Sequence, residues 1–64
     1  MKTTYDKEAN ALYVYFSDEK IASTEELRPG IILDFDVHGR IVGMEMLDAK
    51  TQLSDAALKS LAAA

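Results

Sequence analysis

Residues 34–45 hold the densest set of chemically capable groups in this 64-residue chain: Asp34-x-Asp36-x-His38-Gly39, then Glu45 after five intervening residues. Carboxylates at alternate positions, a glycine and a closing glutamate make the pattern of a calcium-binding loop, in which those oxygens surround the ion. Histidine stands where a third Asp or Asn is usual, and imidazole with carboxylates also suits zinc or manganese. Asp34, Asp36, His38 and Glu45 are therefore the candidate metal ligands, with Asp48 as a further carboxylate for His38. The surroundings argue against both forms. A calcium loop lies between two helices, whereas the flanking residues here read as strands, and a lone turn histidine is ordinarily solvated. The reading is accordingly of a non-enzyme, with no catalytic residue, cofactor or metal assigned; a metal-dependent enzyme or metal-binding module using those four residues is the alternative.

The elements that would position these groups follow from pattern and turn chemistry. Strands are expected over about 2–5, 11–16, 23–28, 31–36 and 40–47, and a helix over about 54–62, within one domain spanning 1–64. Leu12 to Phe16 is aromatic and β-branched, and Glu25 with Glu26 suits an exposed edge strand. Pro29-Gly30 indicates a type II turn with a bulge or looser corner beside it, and Asp36-Val37-His38-Gly39 a type I turn with a glycine bulge. Ser54 is a good helix N-cap, Leu53 can staple onto Leu58, and Leu58, Leu61 and Ala57 share one face. The fold class is α+β: a four- to five-stranded, mainly antiparallel meander sheet with one C-terminal helix packed on one face.

The second turn fixes a register in which Phe35 opposes Ile41, Asp34 opposes Val42, Leu33 opposes Gly43 and Ile31 opposes Glu45. Ile31, Leu33, Phe35, Ile41 and Leu47 then share one face, and Ile32, Val42, Met44 and Met46 the other, with Tyr13 and Tyr15 alternating against Leu12, Val14 and Phe16. Asp34 and Glu45 fall on opposite faces, and Glu45, among apolar neighbours, needs a partner such as Arg28 or Arg40. Both faces are substantially apolar and one short helix covers only one. Either the sheet curls around a single core, or the second face meets a copy of the chain or another small protein. Ile32, Val42, Met44, Met46, Tyr13 and Tyr15 are the expected interface.

Composition narrows the partners. The net charge is −4, and the seven cations Lys2, Lys7, Lys20, Arg28, Arg40, Lys50 and Lys59 are scattered, so nucleic acid is a poor partner for this chain alone. The absence of cysteine removes disulfides and thiolate sites and suits a reducing compartment. With no apolar stretch long enough for a signal peptide or membrane span, the expected location is the cytoplasm, away from membranes.

The segments Tyr5-Asp6-Lys7-Glu8-Ala9-Asn10-Ala11-Leu12-Tyr13 and Pro29-Gly30-Ile31-Ile32-Leu33-Asp34-Phe35-Asp36, continuing Gly39-Arg40-Ile41-Val42-Gly43-Met44-Glu45-Met46-Leu47, resemble the family called domain of unknown function 2283. The resemblance covers nearly everything from Tyr5 to Ala49 and leaves the C-terminal helix as the variable part. It implies a short bacterial or archaeal protein without an established activity, in some cases an antitoxin-like partner of another small protein. Asn10 stands where the family usually has aspartate, and His38 where another short polar or acidic residue is common, which weakens a metal reading resting on those positions. Residues and resemblance together point to a small non-catalytic protein-binding module that self-associates through its sheet.

Overall fold

The computed structural model describes residues 1–63. Its elements in chain order are β1 (Lys2–Asp6), β2 (Ala11–Tyr15), β3 (Ser23–Arg28), β4 (Ile31–Phe35), β5 (Ile41–Leu47), α1 (Ala49–Gln52) and α2 (Asp55–Ala63). Each tight connection rests on short-range bonding. In the first, Asp6 Oδ1 accepts the N–H groups of Glu8 and Ala9, the competition with the ladder that makes aspartate a turn residue. In the second, Gly30 takes φ 85°, as the third position of a type II turn requires. Such a turn twists against a hairpin, and β3 relieves the mismatch by bulging at Leu27, between the pairs Glu26↔Ile32 and Arg28↔Ile31.

The five strands form one antiparallel sheet in the order β1-β2-β5-β4-β3. The class is α+β, as the pattern indicates, but the order is not that of a simple meander: β5 closes back onto β2, and β3 is left at the far edge. The reason lies in composition. Val42, Met44 and Met46 give β5 an apolar side, and a central position pairs it on both edges, Met46 with Leu12 and Ile31, Met44 with Val14 and Leu33. All six residues of β3 are exposed, and its Glu25 and Glu26 suit an edge that must not pair further.

The register of the last hairpin differs from the one its turn dictates. Phe35 does oppose Ile41, but Asp34 opposes Gly43, Leu33 opposes Met44, Ile32 opposes Glu45 and Ile31 opposes Met46. Val42 is an extra residue in β5, and beyond it every side chain changes sides. On the β2 side the ladder is regular, with the Phe16 N–H donating to the Val42 carbonyl at 2.8 Å. Val42, Met44 and Met46 therefore share a face with Leu12, Val14 and Phe16, and with Ile31, Leu33 and Phe35. Burying a Val or Met side chain stabilises by about 1.5–3 kcal/mol, so three such residues outweigh one irregular ladder step.

The helices cover one end of that apolar face. Leu12, Ile31, Met46 and Ala49 form the buried core, with Tyr5, Val14, Met44, Leu53 and Leu61 packed against it. The α2 start is capped as its sequence suggests: Ser54 Oγ accepts the Ala57 N–H at 3.2 Å. One further helical turn, α1, precedes it and is held from a distance. Asn10, at φ 53°, accepts the Ala49 N–H on its carbonyl and the Lys50 N–H on its side chain, while its amide donates to Asp48. The Gln52 amide donates to the carbonyls of Leu47 and Gly30, tying α1 to the turn before β4.

Gly43 has its own constraint. A Cβ there would lie 2.8 Å from the Val14 carbonyl oxygen and 3.0 Å from Tyr15 Cδ1, and backbone in a central ladder cannot step aside. Gly43→Ala is expected to destabilise the fold by about 2 kcal/mol, the typical cost of overpacking; an unchanged urea midpoint would contradict this packing.

Candidate functional site

With the apolar residues sorted to one side, the other face of the sheet collects polar and aromatic groups. Two rows of directly opposed residues run across it: Tyr13–Glu45–Ile32 and Tyr15–Gly43–Asp34, the second continuing to Thr24. Tyr13, Tyr15, Ile32 and Glu45 are half-buried. The two tyrosine rings are parallel, at an interplanar angle of 6° with centroids 6.5 Å apart. Tyr15 lies against the bare backbone of Gly43.

Asp34 is fully buried, and neither of its carboxylate oxygens has a hydrogen-bond partner. Glu45 is its near neighbour on the same face, which overturns the expectation that the two point to opposite sides: the slip at Val42 carries Glu45 across. It also moves Glu45 away from Ile31 and Leu33, so neither Arg28 nor Arg40 is required as its partner. Arg28 instead donates to Gln52 at 3.3 Å. Burial, and then the adjacent Asp34 carboxylate, raise the Glu45 carboxyl above its ordinary value. The Tyr15 hydroxyl is raised as well, by burial first and then by Glu45, Asp34 and Tyr13. Two carboxyls placed this way can share one proton or hold one cation.

Asp36 and His38 belong elsewhere. Asp36 Oδ1 accepts the N–H groups of His38 at 2.9 Å and Arg40 at 3.0 Å, and the Gly39 N–H donates to the Asp36 carbonyl, with Gly39 at φ 77°. The Arg40 N–H, and less strongly that of His38, hold the Asp36 carboxyl below its ordinary value. His38 is exposed and shares a cleft with Glu19, Asp36, Arg40 and Ile41. Asp48 stands at the start of α1, its carboxylate accepting from the Thr51 hydroxyl and the Asn10 amide. The metal set read from the sequence is thus divided between the turn and the sheet face, and among the described residues no three His, Cys, Asp or Glu come together as a metal would need.

The expected interface is divided too. Tyr13, Tyr15 and Ile32 lie on the open face, whereas Val42, Met44 and Met46 lie on the helix-covered side, with Val42 and Met46 buried. The pairing of Asp34 with Glu45 escaped the sequence reading, though one signal was present. Val42, Met44 and Met46 alternate strictly with Gly43 and Glu45, so only the slipped register keeps a carboxylate off the apolar face.

Fold and site together define a small α+β protein, helices on one side of its antiparallel sheet and a tyrosine-flanked carboxyl pair on the other. Residues 2–50 match the family described as "Protein of unknown function (DUF2283)", and the chain belongs to that family. Neither among curated proteins nor among solved structures does anything match. The match takes in all five strands and reaches into α1, leaving α2 outside it. Among the described residues no helix is long and apolar enough to cross a membrane.

Because Glu45 binds its proton more tightly folded than unfolded, its contribution favours the fold below the ordinary value of 4.5 and is lost as pH rises through the folded value. Asp36 has the opposite sign: its contribution is present above 3.8 and is lost as pH falls through the lowered folded value. Glu45→Gln keeps the shape without the charge. It is expected to melt higher than the parent at neutral pH, with the difference vanishing once the solution is well below pH 4.5; equal melting temperatures at neutral pH would refute the assignment.

Proposed function

We propose that the chain is a non-catalytic protein-binding module that associates with a second copy of itself through its sheet. The observation that carries this reading is the end of the apolar face beyond the helices. Phe16 and Ile41 are 50% and 51% exposed, and Leu33 and Phe35, on the same face, lie outside the core cluster. The four residues stand together where β2 ends and the last hairpin turns. An apolar patch at this point draws on the driving force that closes cores, and a small domain gains most from extending its core into a neighbour.

A second copy suits the patch better than a dissimilar partner. None of the four side chains is charged, so the surface offers nothing that selects an opposite sign, and an uncharged patch is complementary to itself across a two-fold axis. The net charge of −4 opposes bringing two copies together, and salt screens that repulsion.

The test is solution mass by light scattering or sedimentation over a range of concentrations. A dimer or larger species at micromolar concentration is expected, strengthening as salt is raised. Phe16→Glu and Ile41→Glu should each return the chain to a monomer with an unchanged circular dichroism spectrum. A parent protein that stays monomeric at every concentration and salt would overturn the reading.

A further inference from the structure

The carboxyl pair on the open face has no counterpart in the chain itself. Asp34 is buried with two unbonded oxygens, a state that is costly unless a proton or a cation compensates it. The charged and titratable residues that share its face are Glu45 on β5, Tyr13 and Tyr15 on β2, Glu26 on β3, and Lys2 and Asp6 on β1. Glu26 adds further negative charge. Among the described residues Lys2 is the one cation on the face, and it stands opposite Tyr15 in the edge strand, on the far side of the tyrosines from both carboxyls.

We propose that this face receives an arginine side chain from a protein partner, its guanidinium held by the Glu45 carboxylate in front of the buried Asp34 and laid on the rings of Tyr13 and Tyr15. Ionised carboxylates only accept hydrogen bonds, and guanidinium only donates them, five N–H groups in one plane. It is also weakly hydrated for a cation and stacks on aromatic faces, which a lysine ammonium does less well. Each row of the site offers one acid and one ring, Tyr13 beside Glu45 and Tyr15 one residue from Asp34. Glu45, half-buried, is the entrance, and Asp34 is buried behind it. A metal ion would need more ligands than the two carboxyls present.

The occupant is an arginine carried by a protein rather than a free small molecule, because the site lies on an open sheet face. On a flat face, water is excluded only if the polypeptide around the arginine covers the rim, where Ile32 is half-buried and Leu47 is 43% exposed. The site lies on the opposite face from Phe16 and Ile41, so it stands whether or not the chain self-associates.

A blocked glycine–arginine–glycine tripeptide, titrated into the full chain and followed by amide NMR, tests the proposal. Saturable shifts centred on Tyr13, Ile32 and Glu45 are expected, with a dissociation constant on the order of millimolar. The lysine counterpart should bind about ten-fold more weakly, as should Glu45→Gln with the arginine peptide, since each replaces a bidentate charge-assisted pair with a poorer one. Glu45→Gln is expected to be at least as stable as the parent, so its loss of binding would not be a loss of fold; Tyr13→Leu, which keeps both carboxyls, should weaken binding several-fold. The proposal is overturned by an absence of saturable shifts, by shifts centred elsewhere, by equal binding of the lysine peptide, or by equal binding to Glu45→Gln.

Discussion

Val42 stands between Ile41, which pairs with Phe35, and Gly43, which pairs with Asp34, and this extra residue sends Met44 and Met46 to the side of Leu12 and Ile31. The rest of the structure depends on that displacement. Without it, β5 would put its methionines on the face of Ile32 and Asp34 and its Glu45 on the face of Ile31 and Leu33, and neither side of the sheet could form a core. With it, β2, β4 and β5 agree on an apolar side, the helices have a surface to pack on, and Glu45 is delivered next to Asp34. Hydrophobic burial chooses the register, and the acidic pair is its by-product on the opposite face.

That division of labour places the tension of the molecule at Asp34. The apolar face is favourable where helices cover it, and its exposed end buries no charge. A polar side chain with no bonded partner in the centre of a sheet is different, because burying it without a hydrogen bond is costly. Burial, and then the neighbouring Asp34, raise the Glu45 carboxyl beside it. Gly43 contributes by leaving room for the Tyr15 ring, which helps shut water out.

Local chemistry was legible in the sequence wherever a residue bonds its own neighbourhood. Asp36 and Gly39 announce their turn, Pro29-Gly30 a type II corner with its accompanying bulge, and Ser54 a helix start. What could not be read locally was set by residues far apart. The bulge at Val42 has no turn signature of its own and arises from the joint fit of three strands. The β2–β5 pairing, and with it the strand order, depends on contacts across some thirty residues. Helix α1 is a single turn that would not persist alone, and its anchor, Asn10, lies 40 residues before Lys50. The candidate site was legible as a set of acids, but its division into a turn aspartate and a sheet pair followed from the bulge and so was hidden with it.

The strand order also divides the chain in a way that its length conceals. Residues 2–15 make one hairpin and residues 23–47 a three-stranded unit, each built from neighbours in sequence, and a single seam, β2 against β5, joins them. The connection over residues 16–22 crosses between the two without adding a strand, fastened by Phe16 to Val42 and by Ala22 to Phe35. Closing that seam is the one long-range event in assembling the sheet, and by topology it is the slow one. A backbone cut inside the crossing would leave two fragments whose union is the same seam made intermolecular, so that this sheet could be rebuilt by fragment complementation at a rate set by concentration.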